Sequence, residues 1–460
     1  MEDKHKFLIN NIFVFSNRIF SKVITLIILL VIARTYSVSQ FGELVLIVTA
    51  TTIFSFVLDF GSNTLAVREI AINNEKRFFL VKSILVTKVF FFLIVSVLFS
   101  GFIYKFLPHI KLQIIFLFAL GVFFESSLLT LVKQFEGLEK MNISSSLIIL
   151  ERIILGISLI IINSPNLFLR YSLSYLISNG LTTLIALWLS RFNKDVILKK
   201  MNFEDIKYVV NHSFIFFLFG LLSIIYNRAD TFLLQILSGS EQLGLYRANF
   251  QIIEAIYFIP MSLGVSILPM FSRFYSSSNE KFLKFFNLLF EAILIFGLII
   301  TLFIYSNSYE IIRILFGEKF TRGSNILKLL SLTIPIFFLN SFIGNTLISL
   351  KREKIQLISM FSGTFFKLIM LYFLTMNFGV NGTCIAVIVG ETVNLIFQFV
   401  GVLDVELKLR DKFFREILLV IGLIAFHLIY PLQFIFSIIL CFTVALIFLS
   451  KLIKDYKKLS

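Results

Sequence analysis

The chain has 460 residues, 58% of them hydrophobic and 15% charged, with a mean hydropathy of +0.94 and a formal net charge of +15. That composition excludes a soluble globular protein. The basic residues are scattered over short connections, which argues against a nucleic-acid face and for contact with anionic lipid headgroups.

Fourteen apolar segments follow one another at 10–36, 41–66, 79–104, 110–132, 143–163, 167–190, 210–237, 245–271, 284–306, 325–350, 356–376, 380–403, 414–430 and 431–450. Most reach 20 residues, enough to cross a hydrocarbon core of roughly 30 Å as a helix. The predicted fold class is all-α: a polytopic membrane protein with about 14 transmembrane helices. The first segment has no small-residue cleavage site and reads as a retained helix. No connection is long enough for a soluble domain.

Lys and Arg alternate along this series. The two ends and the even-numbered connections hold 26 of the 42, and the odd-numbered connections hold 8, Arg247 among them. Lys and Arg accumulate on cytoplasmic flanks, so both termini are expected in the cytoplasm. The connection 306–325 is the one departure, with half of the minority charges.

The two halves share a pattern: an apolar helix, a Ser-rich turn, then an apolar–Gly pair. It occurs at Ser37-Val38-Ser39-Gln40-Phe41-Gly42 and again at Ser238-Gly239-Ser240-Glu241-Gln242-Leu243-Gly244. Parallel repeats of this kind enclose a substrate cavity. The expected domains are an N-terminal lobe (1–200), a C-terminal lobe (201–405), and two extra helices with a basic tail (406–460). Pro260, Pro269 and Pro335 fall inside apolar segments and kink their helices. Hinge and static bend both fit.

Charged residues inside the segments are the functional candidates, because burying one unpaired is unfavourable by roughly 2.5–3.5 kcal/mol even on the lenient insertion scale. In the first segment Asn11, Arg18, Lys22 and Thr25 share one helical face. They form either ion bridges to neighbouring helices or a cationic wall that meets an anionic substrate, and the wall is preferred. Segment seven offers Ser223, Asn227, Asp230 and Thr231, with Arg228 close by. Further candidates are Arg34, Asp59, Lys88, Glu125, Glu254, Glu291, Lys367 and Glu391. Adjacent Glu151 and Arg152 read as interfacial. The chain has no G-x-x-x-x-G-K-[ST], no H-E-x-x-H, and only Cys384 and Cys441 as cysteines. No cofactor or metal site is expected, and a transporter of this kind runs downhill or on an ion gradient or membrane potential.

Several stretches resemble the polysaccharide flippase family of the O-antigen (Wzx) type, in the superfamily that also holds multidrug extruders and the lipid II flippase. They are Ala33-Arg34 with Gln40-Phe41-Gly42-Glu43-Leu44; Asp59-Phe60-Gly61 with Val67-Arg68-Glu69-Ile70-Ala71; and Asn227-Arg228-Ala229-Asp230-Thr231 leading to Gly244-Leu245-Tyr246-Arg247-Ala248-Asn249. Ile259-Pro260, Leu268-Pro269-Met270-Phe271-Ser272, Leu315-Phe316-Gly317-Glu318-Lys319-Phe320, Leu350-Lys351-Arg352-Glu353-Lys354 and Gly379-Val380-Asn381-Gly382 complete the set. The resemblance implies two six-helix lobes around a V-shaped cavity in the bacterial inner membrane. It also implies an undecaprenyl-pyrophosphate-linked oligosaccharide as cargo, moved to the outer leaflet for lipopolysaccharide or similar surface polysaccharide synthesis. On that reading Arg18, Lys22, Arg228, Lys88 and Lys367 meet the pyrophosphate. Asp59, Glu125 and Asp230 carry coupling protons or sodium. The partners are the lipid-linked glycan, membrane lipids and a polysaccharide polymerase. The alternative is an ion-coupled multidrug extruder. A glycan polymerase, an enzyme, fits less well because no long extracytoplasmic loop is present.

Overall fold

The computed structural model describes residues 20–190 and 203–402. The segments expected at 414–430 and 431–450 lie outside the described residues. Within them the chain is all helix and turn, without a strand. Helix α1 spans 20–35. It is followed by α2 (Val38–Asp59), α3 (Ser62–Ile72), α4 (Arg77–Phe106), α5 (Leu112–Gly137), α6 (Met141–Ile161) and α7 (Leu167–Ser190). Then come α8 (Phe203–Ser277), α9 (Asn279–Phe316), α10 (Ser324–Ser331), α11 (Thr333–Ser349) and α12 (Glu353–Val400). Nine spans among the described residues are long and apolar enough to cross a membrane.

Two of these are double passes. Helix α8 has 75 residues, about 110 Å at the α-helical rise, against a hydrocarbon core of roughly 30 Å. Its backbone breaks at Gly239 (φ 82°, ψ 177°), a conformation open to glycine and unfavourable for residues with a Cβ. Helix α12 breaks the same way at Gly379 (φ 56°, ψ −136°). These are the turns expected between segments seven and eight and between eleven and twelve. Among the described residues, the second to twelfth predicted segments thus reappear in order as the crossings of a polytopic helical protein.

Contacts divide the chain into two compact units. Of the described residues, the first holds 20–36 and 43–228, and the second holds Ser37–Gly42 and 229–402. In the first unit α5 is central, packed on α3, α4, α6 and α7. Around it Leu80, Val81, Ile84, Leu128, Leu131, Leu147 and Ala186 close an apolar core. The N-terminal part of α8 joins this unit by stacking Phe217 on Phe60, 4.5 Å between ring centroids.

In the second unit α11 packs against α9 and α12. Phe271, Phe286, Phe290 and Phe342 interlock there as edge and tilted pairs, geometries favoured by the ring quadrupole. The halves of α12 approach through Gly363 and Gly390. A Cβ on Gly363 would come within 2.8 Å of the Gly390 carbonyl oxygen.

The repeated turns meet inside the second unit. A Cβ on Gly42 would lie 1.9 Å from the Ser240 carbonyl oxygen, and one on Gly244 would lie 2.2 Å from that of Val38. In both cases the obstacle is the carbonyl four residues before the opposite glycine, so the contact is reciprocal.

Candidate functional site

Buried charge in the first unit gathers in two places. The apolar run of α2 carries Asp59 to the helix end, where Phe60 and Gly61 take positive φ (52° and 76°). The Asp59 carboxylate then opens α3, accepting from the Ser62 hydroxyl (2.8 Å) and the Asn63 backbone N–H (3.2 Å). Its Oδ1 is 3.0 Å from Nζ of Lys88 on α4. Lys88, 1% exposed, also donates to the Ser126 carbonyl (2.7 Å) and to Thr130 Oγ1 (2.6 Å) on α5. An ammonium has three hydrogens, and all three are engaged. Asp59 and Lys88, expected in separate roles, form one closed pair.

The second cluster joins α5, α6 and α7. Glu125 accepts from the Tyr175 hydroxyl at 2.7 Å. Glu151 is 3.0 Å from Arg152 Nε and 3.4 Å from the Ser178 hydroxyl. Glu151, expected to be interfacial with Arg152, is buried about 15 Å along α6, which starts at Met141, and Arg152 is half-buried beside it.

In the second unit Asp230 is fully buried. It accepts from the Tyr246 hydroxyl (2.5 Å) and the Thr231 backbone N–H (2.9 Å), which ties the two halves of α8 together across Gly239. Beside it Arg247 is 5% exposed. Its Nη2 donates to Glu254 at 3.2 Å and its guanidinium carbon lies 5.1 Å from the Phe250 ring centre. Its Nε and Nη1 have no acceptor among the described residues. Deeper in, Asn340 donates to Glu391 Oε2 at 2.8 Å, and the Tyr257 hydroxyl is 2.5 Å from Thr333 Oγ1. Lys367 is 4% exposed and would press on a Cβ added at Gly390.

Among the other candidates, Lys22 is exposed on α1 and takes part in none of the ion pairs among the described residues. Arg228 is half-buried on α8, and Arg18 lies outside the described residues. Sequence reasoning missed Arg247, counting it as a connection charge. The structure places it within α8. The available signal was its position directly after Tyr246, in the stretch that follows the Ser-rich turn.

The site and fold define a multi-pass membrane protein with charged side chains buried inside each helical unit. The family model described as "Polysaccharide biosynthesis protein" matches residues 7–275, more than half the chain, and the protein belongs to that family. The MatE model matches residues 215–373. No curated protein matches the chain. Among solved structures, the lipid II flippase MurJ in an inward closed conformation is similar at a TM-score of 0.73 and 17% identity, covering 96% of this chain and 99% of that one. The eukaryotic MATE transporter AtDTX14 follows at 0.59 and 13%, covering 90% and 98%. The Vibrio cholerae MATE transporter VcmN, a mutant form, gives 0.59 and 13%, covering 90% and 100%. At these identities the likeness is one of fold.

Proposed function

We propose that this protein is a flippase that carries an undecaprenyl-pyrophosphate-linked oligosaccharide, an O-antigen or similar repeat unit, to the outer leaflet of the bacterial cytoplasmic membrane by alternating access. Both termini are cytoplasmic, and a polysaccharide polymerase receives the product. Family membership supports a role in polysaccharide synthesis, and the fold shared with MurJ supports lipid-linked cargo. The observation that carries the reading is Arg247, a buried guanidinium with two nitrogens that lack an acceptor among the described residues. A buried donor without a partner is unfavourable by about 1–3 kcal/mol, and a phosphate oxygen relieves that through charge-assisted bonds. Arg18, Lys22, Arg228 and Lys367 complete the cationic set. Lys88 joins it when Asp59 is neutralised and releases it. Asp59, Glu125 and Asp230 exchange the coupling protons or sodium.

The second reading, an ion-coupled multidrug extruder, is favoured by the MATE-type neighbours and by the carboxylates Glu125 and Glu151 inside the first unit. Proteoliposomes loaded with a fluorescent polyprenyl-pyrophosphate disaccharide separate the two. The flippase moves the label to the opposite leaflet, and Arg247→Met abolishes movement while eluting as a folded protein. Absence of movement in the wild type, together with efflux of a cationic dye, overturns the proposal in favour of the extruder.

A further inference from the structure

A cavity of about 300 Å³ opens between α6 and α7, at the low end of the roughly 300–1,000 Å³ typical of ligand sites. Its α6 wall is Asn142, Ile143, Ser146, Leu147 and Leu150, and its α7 wall is Ile185 and Leu189. The α6 residues form a single stripe about 12 Å long at the helical rise. The polar members, Asn142 and Ser146, lie toward its N-terminal end, and Leu150 closes the other. At the polar end α6 is preceded by Lys140, exposed at its N-cap, after exposed Glu139. Next to the cavity Leu181, Leu184 and Trp188 are 48%, 60% and 77% exposed. Trp188 is the chain's single tryptophan, and tryptophan favours the headgroup level.

We infer that the α6–α7 groove binds one acyl chain of an anionic phospholipid, with the phosphate at Lys140 and the chain running past Ile143 and Leu147 to Leu150. The dimensions support a single chain. One leaflet of the hydrocarbon core is about 15 Å deep, and the stripe covers most of it. The groove opens onto the apolar surface of α7, so an annular lipid reaches it directly. Exposed Lys140 offers a headgroup phosphate one cationic partner at the mouth, beside Glu139. This site is independent of the transport reading and stands or falls without it.

The test is native mass spectrometry of the full-length protein with phosphatidylglycerol, phosphatidylcholine or undecaprenyl phosphate added. Wild type retains phosphatidylglycerol about fivefold better than phosphatidylcholine, the effect of one lysine at the headgroup level. Leu150→Trp and Ile185→Trp fill the groove and abolish retention. Lys140→Gln equalises the two phospholipids. Leu93→Trp, on an α4 position 73% exposed elsewhere on the surface, changes nothing. Equal retention of both phospholipids by wild type, undiminished retention by the tryptophan variants, or displacement of phosphatidylglycerol by equimolar undecaprenyl phosphate overturns the inference. If neither tryptophan variant elutes as a folded protein, the Lys140→Gln result decides.

Discussion

Replacing Lys88 by methionine removes one partner of a pair whose side chains are only 1% and 7% exposed. The Asp59 carboxylate then keeps two donors, Ser62 and Asn63, and loses its counter-charge. The Ser126 carbonyl loses one bond and Thr130 another. Breaking a buried ion pair from one side is unfavourable by about 3–5 kcal/mol, and the variant should lose stability on that scale. The double variant Asp59→Asn/Lys88→Met removes the charge altogether and keeps an oxygen for Asn63. It should recover most of the loss, since a buried pair replaced by uncharged groups is often neutral. Denaturant unfolding in mixed micelles gives the three midpoints and the coupling energy. A double variant less stable than Lys88→Met, or a single variant within about 0.5 kcal/mol of wild type, would refute the account of Lys88 as a sealed partner of Asp59.

Tyr246→Phe withdraws the hydroxyl from buried Asp230 and should destabilise the protein by about 1–3 kcal/mol, read from the same unfolding midpoints. Gly42→Ala should prevent stable folding or lower the unfolding midpoint sharply, because the added carbon meets a backbone oxygen. Overpacking alone is unfavourable by about 1–3 kcal/mol, and a wild-type midpoint would contradict the contact. Arg247→Met gives up the pair with part-exposed Glu254 but also two nitrogens that lack an acceptor among the described residues, so stability should change by no more than about 1 kcal/mol while transport is lost. Equal loss of both would make Arg247 a packing residue.

Length and hydropathy made the crossings legible, and glycine marked the breaks in α8 and α12, because Gly239 and Gly379 stand between apolar runs each long enough to span. Pairing was not legible. Asp59 and Lys88 lie on different helices, and the period of each helix says which face a residue shares but not what stands opposite. Burial was not legible for Glu151, because the bond it accepts from Ser178 comes from another helix. Arg247 escaped because helix α8 resumes close behind Gly239, and a charge near a turn reads as solvated until the packing around it is known. The cationic face expected in the first segment stays an expectation: Asn11 and Arg18 fall outside the described residues, and Lys22 is exposed on α1.

The reciprocal glycine turns have an evolutionary corollary. At most crowded positions a neighbour's rotamer yields to an extra methyl, and a second change elsewhere restores the fit. At Gly42 and Gly244 each methyl would strike main chain, which has no rotamer to change. Neither codon can drift first and await a compensating change in its counterpart. A selection that randomises both should return glycine twice and enrich no alternative pair.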